Sequence, residues 1–133
     1  MVSNLPLVWI YTNNLNAPFT LHAKRTSAGG TYTVALEDQV LEFKLTSALV
    51  VVLPSIALSP PGRVITIKDA NGLCDSFPIT IRAGNTVTDA IENAYGDFIY
   101  KNPYGSVTLV ATIDPNGGGA GSGLSPKYMW CIV

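Results

Sequence analysis

The sequence predicts an all-β protein, an antiparallel β-sandwich of jelly-roll type. Three observations lead there. Runs with an apolar residue at every second position recur along the chain, clusters of Gly, Pro and Asn separate them, and only residues 85–93 lack the alternation enough to admit a helical turn. A period of two places successive side chains on opposite faces, so each run reads as a strand buried on one side. At 133 residues the chain has the length of one domain with a single two-layer core. No internal repeat is visible.

Taken in order, residues 5–11 are apolar and contain Pro6, which suits an edge strand because proline lacks the amide a central ladder needs. Asn13, Asn14, Asn16 and Pro18 mark a turn. Phe19, Leu21 and Ala23 then alternate with Thr20, His22 and Lys24 as a second strand, and residues 27–30 form another turn. Tyr32, Val34 and Leu36 alternate until Glu37 and Asp38 break the run, and Leu41, Phe43 and Leu45 alternate with Glu42 and Lys44. Residues 48–53 are a continuous apolar run ending at Pro54, as expected of a strand covered on both faces. The loop Ser59-Pro60-Pro61-Gly62 cannot be helical.

Residues 63–82 are the most regular stretch. Ile65 and Ile67 share a face opposite Thr66 and Lys68, Ile79 and Ile81 share a face opposite Thr80 and Arg82, and Asn71-Gly72 lies between. Asn-Gly supplies positive φ at little steric cost, so the expectation is a hairpin with a slightly long loop. Ile99-Tyr100 reads as a short strand before a turn at Asn102-Pro103-Tyr104-Gly105. Val107, Leu109 and Ala111 alternate, residues 114–123 are a glycine-rich hairpin loop, and residues 128–133 form a last strand. That strand ends on Trp130-Cys131-Ile132-Val133, and so apolar a terminus is expected to dock in a sheet or against a neighbouring subunit.

Hydrophobic residues make up 47% of the chain and charged residues 13%, with a net charge of −1. So little charge points to a surface partly covered by a partner. No basic run could track a phosphate backbone, which argues against nucleic acid. The two cysteines, Cys74 and Cys131, are too sparse for a disulfide framework and read as small apolar residues near the core. Asn4 and Pro6 interrupt the N-terminal apolar stretch, so no signal peptide is expected, and the longest apolar run is too short to cross a bilayer. The expectation is a soluble protein made in a reducing cytoplasm, with no membrane partner.

Candidate chemistry is sparse. His22 is the single histidine and lies on the polar side of its strand, with no Ser-His-Asp or Cys-His spacing around it. One histidine and two distant cysteines are too few for an ordinary zinc site. Asp69, Asn71 and Asp75 have the spacing of part of a calcium loop but lack its terminal bidentate glutamate, so a turn closed by Asx hydrogen bonds is preferred. A glycosidase-like pair would come from Glu37, Asp38, Glu42, Asp69, Asp75, Asp89, Glu92, Asp97 and Asp114, and nothing in their spacing selects one. Residues 117–123 lack the Lys-Ser/Thr that closes a phosphate-binding loop. No catalytic residue, cofactor or metal is expected, and Trp9, Trp130 and the tyrosines read as core, interface or sugar-stacking surfaces.

From Tyr32 onward, several pieces follow in a set order: Tyr32-Thr33-Val34, Leu41-Glu42-Phe43, Val50-Val51-Val52-Leu53-Pro54, and the run 62–69. Pro78-Ile79-Thr80-Ile81, residues 104–110 and the terminal tryptophan strand complete it. In this order the chain resembles a β-sandwich module of tailed-bacteriophage structural proteins, found in capsid decoration proteins, head fibres and tail-fibre tips. The resemblance implies a homotrimer around a three-fold axis and no catalytic residues. Two departures stand out: Val87-Thr88-Asp89-Ala90 replaces an Ile-Asp-Gly turn, and residues 115–127 are inserted before the tryptophan strand.

The resemblance divides the chain into N-terminal strands over 1–31, a possible docking segment, and the sandwich module over 32–133, within one compact domain. It implies a trimeric capsid decoration or cement protein in the virion, partnered by itself and the major capsid protein. Leu7, Val8, Trp9, Ile10 and Tyr11 are the candidate capsid-docking residues, and Tyr128 and Trp130 the candidate trimer or core aromatics. Asn116, Gly117, Gly118, Gly119 and Ser122 form the candidate exposed loop. The alternative is a trimeric tail-fibre tip that binds a host surface glycan.

Overall fold

The computed structural model describes residues 22–59 and 62–133. The described chain is all-β: β1 (His22–Thr33), β2 (Asp38–Val52), β3 (Val64–Asp69), β4 (Ile79–Arg82), β5 (Asp89–Ile91), β6 (Phe98–Tyr100), β7 (Ser106–Ile113) and β8 (Tyr128–Ile132). A single 3-10 turn, Ile56–Leu58, follows β2. All eight strands belong to one sheet in the order β5-β8-β7-β3-β2-β4-β6, with β1 also on β2, and this sheet nearly closes like a barrel. The expected wholly antiparallel pairing is corrected: β1–β2, β2–β3, β2–β4 and β5–β8 are parallel.

The β1–β2 pair explains how parallel strands follow one another so closely. His22 lies beside Asp38, and Thr33 beside Val52. A straight β1 would hold His22 and Thr33 about 36 Å apart, at about 3.3 Å per residue. The connection from Thr33 to Asp38 reaches at most about 18 Å. Both strands must therefore bend and bring the chain back beside its start. The bend falls at Gly29 and Gly30, where the register shifts and Gly30 takes φ +76°. A Cβ on Gly29 would collide with the Ser47 hydroxyl of β2, so the two strands approach closely at this corner and a larger residue would require that side chain to move.

The stretch 63–82 follows the same bent path one layer further on. β3 lies parallel to the first part of β2, from Val40 to Phe43, and β4 parallel to the second, from Leu49 to Val52. The two strands expected to form a hairpin do not pair with each other. Their alternation specified an inward and an outward face, which both arrangements satisfy, but not a partner or a direction. Asn71 instead serves the corner. Its carboxamide accepts from Leu45 N–H at 3.0 Å and donates to Leu45 C=O at 3.1 Å, standing in for a strand partner where β2 leaves β3.

The next layer runs in reverse, β6 antiparallel to β4 and β7 antiparallel to β3, and β8 then adds to β7. The alternating residues meet inside: Leu41, Phe43, Leu45, Leu49 and Val51 of β2 pack with Ile65, Ile67, Ile79, Ile81, Val107, Leu109 and Trp130. Ile99-Tyr100 belongs to β6, and the last strand docks in the sheet, both as expected. The helical turn expected over 85–93 shrinks to one turn, closed by Asp89 N–H on Asn85 C=O, before β5. The division expected between residues 31 and 32 falls inside β1.

Candidate functional site

Three aspartates are buried, and each ties chain segments together. The most connected is Asp69, at the end of β3. Its Oδ1 accepts from the N–H groups of Asn71, Gly72 and Leu73, and its Oδ2 from those of Cys74 and Tyr104. One carboxylate thus closes the turn after β3 and holds the separate turn before β7. Burial works to raise its pKa, but the hydrogen bonds from Cys74, Tyr104 and Leu73 outweigh it and hold the carboxyl below the usual range. The Asx-closed turn expected from Asp69 and Asn71 is found, with Gly72 at φ +74°. Among the described residues no group of three or more His, Cys, Asp and Glu side chains is arranged to hold a metal ion.

Tyr104 is the outward product of this clasp. It is a non-glycine residue at φ +58°, a region that strains an ordinary side chain. Asp69 holds its N–H, and the Lys68 ammonium donates to its carbonyl oxygen. Its ring edge occupies the space a Cβ on Gly72 would need, while 64% of the residue remains exposed.

Asp38 closes the return from β1 to β2. Its Oδ2 accepts from Tyr32 Oη at 2.8 Å and from Ala35 N–H at 2.9 Å, and its Oδ1 lies 3.2 Å from Lys24 Nζ. Burial opposes the charge here too, yet the Ala35, Tyr32 and Lys24 hydrogen bonds keep the Asp38 carboxyl below its ordinary value. Arg63 reaches the same corner, donating to the carbonyls of Ala35 and Asp38 at 2.7 and 2.9 Å. Asp89 fastens β5 to the 3-10 turn, accepting from Ile56 N–H at 3.0 Å and from the Thr88 hydroxyl at 2.9 Å. The buried acids among the glycosidase candidates are therefore engaged in holding turns.

His22 is exposed at the start of β1. Both cysteines are free: Cys74 is buried and Cys131 half-buried. Burial, with Asp69 beside it, pushes the Cys74 thiol up to about 12, so it stays protonated and inert. Trp130 is fully buried in the core, and Tyr128 packs partly buried at its margin.

The loop after β7 carries Asn116, Gly117, Gly118, Gly119 and Ser122 at or near the surface. It is laced by its own bonds. Asp114 accepts from Asn116 N–H and the Ser125 hydroxyl, Gly118 exchanges bonds with Ser125 and Lys127, and Tyr95 Oη donates to Gly118 C=O at 3.1 Å. Leu7, Val8, Trp9, Ile10 and Tyr11 lie outside the described residues. Sequence reasoning placed Tyr104 in a turn but missed its exposure and strain; the Tyr-Gly pair ending that turn was the only signal. Neither protein-family models nor curated proteins give any match to the chain.

Proposed function

We propose that this chain is a non-enzymatic virion structural protein that works by surface contact, as a homotrimeric capsid decoration or cement protein. One observation carries the assembly reading. β1 runs for twelve residues without a buried position and, among the described residues, pairs only with β2. An edge of that length, with backbone groups that no other described strand pairs and a thinly covered inner face, is a natural place for another chain to add. As part of this proposal, opposing walls of the curled sheet act as the two layers of a sandwich, and three copies meet around a three-fold axis. The low charge content supports extensive subunit contact, and three linked copies would engage neighbouring capsid subunits with avidity.

A second reading, a receptor-binding tip of a tail fibre made in the host cytoplasm and carried in the virion, is favoured by Tyr104. A strained, exposed aromatic held from three sides is the kind of feature that function maintains.

Light scattering on the purified protein tests the assembly. A mass about three times 14.1 kDa is expected, and a monomer at micromolar concentration would overturn the trimer. For the capsid role, deletion of residues 1–16 should abolish capsid occupancy while leaving the trimer folded. Retained occupancy would remove those residues from docking.

A further inference from the structure

We infer that the Tyr104 ledge is a binding site for a neutral hexopyranose, with the tyrosine ring as its stacking platform. The inference rests on the receptor-binding reading above and assigns it a site and a ligand class.

The geometry argues for a platform built in advance. Tyr104 holds φ +58° because its N–H bonds to Asp69, its C=O accepts from Lys68, and its ring edge rests where only a glycine, Gly72, leaves room. All three restraints come from one short segment, residues 68–72, which holds the Tyr104 backbone and seats its ring before any ligand arrives. A ligand gains affinity when the protein has already met the ordering cost. The ring is nevertheless exposed, and burying it in the core would have needed none of this.

Two uncharged polar groups lie close by. A Cβ on Gly105 would meet the Tyr100 hydroxyl and the Asn102 amide nitrogen, so both lie beside the residue that follows Tyr104. Ser106 comes next and is exposed. Of the nearby charges, the Asp69 carboxylate is buried in its turn and the Lys68 ammonium bonds the Tyr104 carbonyl, while Lys101 and Asp75 are single exposed charges of opposite sign. A pyranose presents a face of C–H bonds that packs on an aromatic ring, and hydroxyls around its rim that suit an amide and a phenol. A nucleotide would instead ask for several free cations to meet its phosphates.

The test uses the intact chain on a glycan array of hexose-containing oligosaccharides. Saturation-transfer NMR with methyl hexopyranosides locates the contacting protons, and light scattering accompanies every variant. Glycine adopts φ +58° freely and asparagine tolerates it, so Tyr104→Gly and Tyr104→Asn are expected to fold and melt like the parent. Both should weaken hexose binding about tenfold or more while Tyr104→Phe retains it. The proposal is overturned if no hexose gives a Tyr104-dependent signal. If a glycan binds equally well to Tyr104→Gly, the receptor-binding reading stands and this site falls. A changed mass in the ring-less variants without glycan binding would assign the ring to a contact between copies, and the proposal again fails.

Discussion

Asp69 shows how much one side chain does in this fold. Its two carboxylate oxygens satisfy five backbone N–H groups from two loops that lie far apart in sequence. Removing it leaves those donors without their acceptor; only the Cys74 N–H is fully buried, water can reach the others in part, and a buried unmet bond costs about 1–3 kcal/mol. Asp69→Ala is therefore expected to lower stability by about 3 kcal/mol, measured by urea unfolding. The sign of the pH dependence follows from the depressed pKa values of Asp69 and Asp38. Their stabilisation is complete above the unfolded aspartate value of about 3.9 and is lost as pH falls through the lower folded values. Stability should hold at neutral pH and decline below about pH 4, with a shallower decline in Asp69→Ala. The local chemistry here was legible beforehand, because Asp, Asn and Gly at this spacing form an Asx turn whatever surrounds them. That the same carboxylate also holds Tyr104 was not, since that contact spans 35 positions of sequence.

Among the elements, β2 is central. It pairs with β1 along one side and with β3 and β4 in succession along the other, and it contributes Leu41, Phe43, Leu45, Leu49 and Val51 to the core. β1 has neither advantage, having one described neighbour and no buried residue. Native-state hydrogen exchange should therefore find the slowest amides in β2 and markedly faster exchange in β1, since opening β1 exposes little apolar surface. Equal protection would indicate that β1 is covered in solution by a further chain segment or copy. The apolar period located β3, β4, β6, β7 and β8, but the turn expected over 27–30 lies inside β1, β2 reads as two runs, and β5 reads as part of a helical turn. It did not show that β1 and β2 are bent, because a bend at Gly29 and Gly30 leaves inward and outward positions unchanged on either side.

For the whole molecule, the successive layers share one hydrophobic interior, and no described strand has a core of its own. Folding is expected to be cooperative, so Trp fluorescence, with Trp130 in that interior, and far-UV circular dichroism should report one coincident urea transition. Separate midpoints would mean that the bent β1–β2 layer unfolds independently of the β7–β8 end. The assembly reading belongs to this scale as well, because association through β1 would couple stability to protein concentration.

The sequence by itself determined that the described chain is all-β, which residues of β3, β4, β7 and the first half of β2 point inward, where the Asx turn at Asp69 and the glycine-rich loop fall, and that the cysteines stay apart. These depend on neighbours a few residues away, through side-chain alternation and backbone conformation. Only the tertiary structure decided which strands pair, in which direction, and that residues 63–82 form a further layer of a winding sheet rather than a hairpin. It also decided that Tyr104 stands exposed over Gly72. Strand partners and loop-to-loop contacts are set by how the whole chain closes its core, and a local pattern of period two is compatible with several such closures.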